Sequence, residues 1–406
     1  MLERDAFMNL SKMNFDVSEE QEMILEQVDR VCKEIRPIED KCYLEHRIND
    51  QVRPMFAKAH LLGIPVSRKY GDGQGADMVT HALAIERIGR EGTGLRTFFS
   101  VHMALAQMTI QHWGNEEQKQ RILTPATKGE HILAFGLTEP NAGSDPAALT
   151  TSFEEKEGKF VVSGQKMWIS LGSTAKQVLI FAYPKGKREG MCAFIVDTDS
   201  PGFKAELIKY KLGLPTADTS TLYLDRVEVP KENLLGPRGK GMSVALSGLM
   251  NGRLSVAAGC VGVIQDCLDE SVRYAGMRFQ HNKLIGKHQL IQRHTGLMST
   301  NLDAAKLLLL KAAFVKQKYE ENTTSVELRD AADAAITKAK YFAANASFDA
   351  ANRAVQIFGA NGYSFESRPA RHFADSRVTM IYEGTNEILE QKIAVSSLGK
   401  DFVAYS

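Results

Sequence analysis

Along this chain the spacing of apolar residues changes period twice, and that constrains the fold more than any single motif does. From Asp16 to about Gly129 the apolar residues recur at helical intervals, most clearly as the stripe Ile24, Leu25, Val28, Val31, Cys32 and Ile35. Ser18 and Gln21 have the spacing of a capping box at the start of that helix, and Pro37 marks its expected end. Further helices are expected over 78–88 and 100–112. Between Thr151 and Pro237 short β-type runs take over, at 159–163, 178–183, 192–197 and 220–229, separated by turn-rich stretches such as 184–190. Beyond Gly241 the helical spacing returns, and the segments 302–318 and 326–358 are long, alanine-rich and nearly free of breakers. A doubly wound sheet needs strands alternating with helices throughout, so this order excludes it. The expected fold is mainly α with a central β domain: a helical domain over 1–133, a β domain over 134–240 and a helical bundle over 241–406.

Composition narrows the function. At 406 residues the chain is too long for one simple core. Its formal charge of +1, from 50 Lys and Arg against 49 Asp and Glu, lacks the concentrated basic surface of a nucleic-acid binder. The most apolar stretch, 242–264, is broken by Asn251 and Arg253, so no membrane span is expected. The first residues mix acids and bases without a hydrophobic signal core, which points to a cytoplasmic protein, although a mature mitochondrial chain would read the same way. Cys32, Cys42, Cys192, Cys260 and Cys267 are odd in number and scattered; reduced, buried thiols are expected, with neither disulfide nor metal.

Two glycine clusters, 71–75 and 236–241, lack the strand before and the βαβ setting that a dinucleotide fingerprint requires, so both are expected to be turns. The ten histidines form no HExxH and no His/carboxylate triad, and no metal site is expected. Three segments carry more chemistry. FGLTEPNAGSD at 135–145 puts Thr138, Gly143 and Ser144 where the helical zone meets the β zone; small and hydroxyl residues there allow close backbone approach and supply hydrogen bonds. KMWIS at 166–170 pairs Trp168, one of only two tryptophans, with Ser170, a combination able to wall a flat aromatic ring. IYEGTNE at 381–387 holds Glu383 after an apolar run, where it is either a surface acid in a loop or a carboxylate in an apolar pocket, its pKa raised to suit a general base.

Taken together these segments, with LYLDRVEVPKENLLG at 222–236, NGRLSVAAG around Arg253 and QIFGANGY at 356–363, resemble the acyl-CoA dehydrogenase family in register from Ser18 to Leu389. The resemblance implies that family's helical N-terminal domain, barrel-like β domain and C-terminal four-helix bundle. It implies FAD bound between the last two, with Phe135, Leu137 and Thr138 at the pyrimidine side of the flavin. Trp168 would lie against the ring and Ser170 near N5. Gln356, Ile357 and Gly359, with Arg278 and Gln289, would reach the adenosine diphosphate of a neighbouring subunit's FAD, which implies a homo-oligomer, a tetramer. Thr385 and Asn386 would line the cofactor. Ser144 and Arg253 would hold the arm of the acyl thioester. Glu383 would take the α-proton while a β-hydride passes to flavin N5, with the thioester carbonyl polarised by the Glu383 main-chain N–H; Gly384 belongs to the same substrate-binding loop. Some relatives place the base on the helix before the arginine; here that position is Gly252. Electrons would pass to an electron-transferring flavoprotein.

The chain also departs from the family's pattern. Arg278-Phe-Gln-His-Asn282 replaces Arg-x-x-Phe-Gly, Ala374-Asp375 replaces Arg-Asp, and Gly213-Leu-Pro215 replaces Gly-Ile/Leu-Arg. Arg96 stands where fatty-acyl members are apolar; an arginine there resembles the glutaryl-CoA branch and implies a distal carboxylate on a short acyl group, while a solvent-facing arginine or one paired with Glu91 is the alternative. The acyl group could be carried on CoA or on a carrier protein. An O2-using oxidase and a catalytically silent scaffold of the same fold are the other functions the sequence allows.

Overall fold

The computed structural model describes Met13 and residues 16–403. The first helix, α1 (Glu19–Leu44), opens with the capping box: the Ser18 side chain accepts from the Gln21 N–H, and the Gln21 side chain accepts from the Ser18 N–H at 2.7 Å. Contrary to the expected stop, Pro37 lies inside the helix. Pro37 is exposed, so the carbonyl its missing N–H leaves free can be hydrated, and the burial of Glu39, Cys42 and Tyr43 beyond it holds the last turns in place. Next come α2 (Val52–Lys58), α3 (Met78–Glu91) and α4 (Thr93–Phe99). The regular helix expected over 100–112 is instead a wide π-helical segment, Ser100–Gln107, that runs into α5 (Met108–Trp113); all eight side chains of the π segment are buried. Such widened turns cluster at functional sites. The domain closes with α6 (Glu116–Thr127).

The β domain comprises β1 (Leu133–Gly136), β2 (Ser152–Lys156), β3 (Lys159–Ser170), β4 (Gln177–Pro184), β5 (Cys192–Asp197), β6 (Phe203–Leu207), β7 (Thr219–Pro230) and β8 (Leu234–Leu235). Its spatial order is β6-β7-β3-β2-β4-β5-β8, with β1 parallel to β4. The β3–β7 pairing slips between Lys166 and Ile169, and Trp168 sits in the slip with φ +63°. A bulge of this kind re-aims a side chain. Both glycine clusters are turns, as expected: Gly71, Gly75, Gly236 and Gly239 have positive φ.

The C-terminal part is built on α7 (Gly241–Ala275), α8 (Gln289–Glu321) and α9 (Val326–Phe358), followed by α10 (Arg368–Ser376) and α11 (Asn386–Leu398). Helix α7 packs against α3, α8 and α9. Its most apolar window has a mean hydropathy of 1.3, enough on composition to cross a membrane, but 83% of that window is buried inside the protein, which marks a core helix. One apolar core joins α1, α3 and the bundle; the other fills the sheet and takes Val244 and Ala245 from the start of α7. The five cysteines are free and buried. A two-residue turn, His281–Asn282, joins the short strands β9 (Phe279–Gln280) and β10 (Lys283–Leu284), so the pair that departs from the family pattern closes a hairpin with φ of +50° and +59°.

Candidate active site

One face of α7 organises the site. Gly248, Gly252, Ser255, Gly259 and Gly262 recur at intervals of four and three, which places five small residues on one stripe. A Cβ at Gly248 would come within 2.9 Å of the Phe135 ring, and one at Gly252 would lie 2.6–2.7 Å from the Glu383 carboxylate. A Cβ at Gly259 would meet Arg96 Cδ and Nε at 2.7 Å. Between them the Ser255 hydroxyl lies 2.6 Å from that of Ser100, the first residue of the π segment. The stripe therefore docks the sheet domain, the Glu383 loop and the N-terminal domain side by side. The glycine at 252 has a second meaning: the space a base there would need is filled by the carboxylate of Glu383.

Glu383 and Gly384 are consecutive left-handed residues, with φ of +56° and +93°. For a glutamate that conformation costs roughly 1–3 kcal/mol and persists only where the surroundings impose it. Arg253 Nε donates to the Glu383 carbonyl at 2.8 Å, and Lys340 Nζ donates to the Gly384 carbonyl at 2.9 Å. Glu383 Oε2 is buried without a hydrogen-bond partner. Burial pushes this carboxyl up to about 7, against the pull of Arg253, Lys340 and Arg96. Among the described residues the Glu383 N–H finds no acceptor either.

Arg96 is 1% exposed. Its Nη1 donates to Ser100 Oγ at 2.8 Å and its Nη2 to the Tyr382 hydroxyl, and its guanidinium lies over the Tyr382 ring at 5.6 Å. Two of its five N–H donors are thus used, and among the described residues no carboxylate pairs with it. The pairing with Glu91 does not occur; Glu91 is taken by Arg36 at 2.5 Å.

The ring-walling residues form a second group. The Met167 N–H donates to the Thr138 carbonyl at 2.9 Å, which joins the 135–138 segment to the Trp168–Ser170 strand. Trp168 is 55% exposed, and the hydroxyls of Thr138 and Ser170 make no hydrogen bond among the described residues. Leu137 and Phe135 are buried behind them. Gly248 and Gly252 are one helical turn apart, so this group and the Glu383 loop are neighbours on α7. A third group lies elsewhere: Arg278, Ile357 and Gly359 line a cavity of about 410 Å³ with Tyr274, His281 and His288. Gln289 and Gln356 adjoin it in sequence without lining it. Ser144 is exposed on its loop, and among the described residues no hydrogen bond joins it to Arg253. The Thr385 side chain caps α11, and the Asn386 amide is engaged by Asn345 and Lys340.

Sequence reasoning missed Lys166, Glu139, Tyr382, Ser255 and Lys340. Lys166, Glu139, Tyr382 and Ser255 stand inside the KMWIS, FGLTEPNAGSD, IYEGTNE and NGRLSVAAG segments, which was the available signal; Lys340 stands in none of the motifs. Lys166 is wholly buried beneath the ring wall, donating to Glu139 and to the carbonyls of Phe181 and Leu137 at 2.8, 2.8 and 3.2 Å.

A buried carboxylate with a bare oxygen and an open main-chain N–H beside it, at the seam of a sheet and a helical bundle, is equipment for removing a proton next to a carbonyl. Residues 18–130, 134–227 and 239–398 match the N-terminal, middle and C-terminal domains of acyl-CoA dehydrogenase. The chain belongs to the acyl-CoA dehydrogenase family, FAD-dependent oxidoreductases acting on CH–CH bonds. It is 37% identical to an acyl-CoA dehydrogenase of Bacillus subtilis over 94% of this chain and 98% of that one. It is 34% identical to a glutaryl-CoA dehydrogenase of Desulfococcus multivorans over 95% and 98% of the two chains. The solved butyryl-CoA dehydrogenase of Megasphaera elsdenii superposes with a TM-score of 0.89 at 30% identity, covering 95% of this chain and all of that one. The residues present fit the family's FAD: an exposed indole in a strand bulge, flanked by the two unengaged hydroxyls of Thr138 and Ser170, offers a flat ring a wall and polar partners.

Proposed function

We propose that this chain oxidises the α,β bond of a short acyl thioester whose far end carries a carboxylate, with Glu383 as the base. The observation that carries this reading is the pairing, along one face of α7, of a buried guanidinium that lacks a carboxylate with a buried carboxylate that lacks a donor. Glu383 takes the α-proton at Oε2, and its raised pKa keeps it close to the ambient pH where such transfer is efficient. The free Glu383 N–H meets the thioester oxygen as negative charge develops there. Arg96, held by Ser100 and Tyr382, receives the distal carboxylate through its unused donors. Bound FAD supplies the acceptor for the β-hydride, at flavin N5. Arg278, Ile357 and Gly359, which line the cavity beside Tyr274, would hold a second copy's FAD in a homotetramer, and an electron-transferring flavoprotein would remove the electrons.

The test is Glu383→Gln in the FAD-loaded protein, mixed anaerobically with CoA- and carrier-bound thioesters of equal chain length. The variant keeps FAD and its fold, while flavin reduction slows by about 10²–10⁴-fold. Near-normal bleaching by any thioester removes Glu383 as the base. A wild type reduced only by carrier-bound acyl groups keeps the base and changes the carrier, and peroxide release without an added acceptor identifies an oxidase.

A further inference from the structure

We infer that Lys340 is a positioning residue for the reaction: with Arg253 it clamps the two consecutive left-handed residues of the base loop, and its charge sets the pH at which Glu383 works. The inference rests on the assignment of Glu383 as base.

The geometry is specific. Arg253 comes from α7 and Lys340 from α9, yet each donates to a neighbouring carbonyl of the same strained turn, Glu383 at 2.8 Å and Gly384 at 2.9 Å. Lys340 is fully buried on a stretch of α9 whose alanines 335, 339, 343 and 344 are buried too, a setting that favours an apolar residue. Burying an ammonium there is expensive unless its protons are engaged. Two of its three N–H bonds are accounted for, by Gly384 O and by Asn386 Oδ1 at 3.4 Å, and the Asn386 amide is itself fixed by Asn345 at 3.1 Å. Among the described residues Lys340 forms no ion pair with a touching carboxylate; Glu383 and Glu387 are the carboxylates nearest its charge in effect.

The charged and titratable groups around the base come from every element that packs on it. Arg253 approaches from α7, Arg96 from α4 and Lys340 from α9, while Tyr382 precedes the base in its own loop. Lys340 in turn faces Cys260 and Arg253 of α7, and Glu383 and Glu387 of the loop and α11. Arg253 is shared with Asp333 at 3.2 Å, and Asp333 also pairs with Lys392 at 2.8 Å. Arg253 is therefore shared with a carboxylate, whereas Lys340, like Arg96, pairs with no carboxylate among the described residues. Losing it releases the Gly384 carbonyl and removes a charge that stabilises ionised Glu383.

The experiment compares Lys340→Met, Lys340→Gln and Lys340→Arg in the FAD-loaded protein, following flavin reduction by a saturating thioester from pH 5 to 9. Lys340→Met is expected to slow reduction at least tenfold, with the substrate KM changed less than threefold, and to move the acid limb of the rate profile to higher pH by half a unit or more. Lys340→Gln, which keeps a donor without the charge, shifts the limb but retains more of the rate. Lys340→Arg restores both. A purely structural lysine moves stability and leaves the limb in place. Wild-type rate and an unshifted limb in Lys340→Met overturn the proposal. Should that variant not fold, the same limb in Lys340→Gln and Lys340→Arg overturns it equally. If Glu383→Gln is inactive while the Lys340 variants are silent, the clamp fails and the base stands; if Glu383→Gln is itself active, the base assignment fails first.

Discussion

Two glutamates with carboxylate oxygens buried in the candidate site are treated by the protein in opposite ways. Glu139, under the Thr138–Trp168 wall, touches Lys166 at 2.8 Å and accepts from the N–H and hydroxyl of both Thr150 and Thr151. Burial alone would raise its pKa, but these partners hold it down at about 2. Glu383 Oε2 is likewise buried, but the carboxylate has three cations near it and a hydrogen bond from none, and it is pushed up to about 7. Burial is common to both; contact with a donor is what reverses its effect. One carboxylate is locked ionised and serves as structure. The other is left bare and close to neutrality, which is what a proton acceptor needs.

The first way to test that contrast is to break the locked pair. Lys166→Met leaves the buried Glu139 carboxylate without its counter-cation, with only the Thr150 and Thr151 donors, and removing one partner of such a pair destabilises by about 3–5 kcal/mol. The double variant Lys166→Met/Glu139→Gln leaves no stranded charge and is expected to recover more than half of that loss. Chemical denaturation of the FAD-loaded proteins measures both. Equal losses for the single and double variants would mean that packing, not charge, holds the root of the wall.

A smaller effect is expected at the other end of the comparison, where the bare carboxylate faces Arg96. Arg96→Leu is expected to lower kcat/KM for a dicarboxylic thioester by a factor equivalent to about 2–5 kcal/mol, the usual range for truncating a buried charged contact. A plain acyl thioester of equal length should hold or improve. If both substrates decline alike, Arg96 only supports Tyr382 and the base loop.

The contrast also shows what could be read from the chain and what could not. Glu383, Trp168, Thr138 and Arg96 stand in local motifs whose residue types announce their chemistry, and the α1 stripe and the long bundle helices announce themselves by period. Lys340 carries no such sign. It is one lysine on an alanine-rich helix, and its meaning depends on a loop 44 residues later that arrives by tertiary packing. Pro37 misled for the opposite reason, because a strong local stop signal was overridden by the burial of the residues after it. The departures at Gly213-Leu-Pro215 and Ala374-Asp375 read as unrelated, yet they touch: the Leu214 N–H donates to Asp375 Oδ1 at 2.7 Å, and a Cβ at Gly213 would meet the same oxygen at 2.6 Å. Tyr43 of α1 donates to that oxygen at 2.9 Å, so all three domains meet on one carboxylate. Contacts between distant segments leave no periodic trace.

The most sensitive test of the two-glutamate contrast is stability against pH, where the slopes should have opposite signs. Glu383 has its pKa raised in the folded state, so the folded protein binds the proton more tightly than the unfolded chain does. Stability from this group is present below the unfolded value of about 4.5 and is lost as pH rises toward 7. Glu383→Gln removes that loss. The variant is therefore expected to gain on the wild type between pH 5 and pH 8, by up to about 3 kcal/mol if the whole shift is expressed, at about 1.4 kcal/mol per pH unit. Glu139 runs the other way: its folded pKa is lowered, so its contribution is complete above 4.5 and fades as pH falls toward 2. Glu139→Gln should thus be most destabilising at neutral pH and least so in acid. Urea denaturation of both variants in steps from about pH 3 to pH 8, with FAD at one fixed concentration, measures the two slopes, that of Glu139 below 4.5 and that of Glu383 above it. A Glu383→Gln protein that does not gain on the wild type as pH rises would mean that its carboxyl is already ionised without penalty, and the distinction between a locked and a bare glutamate would fall.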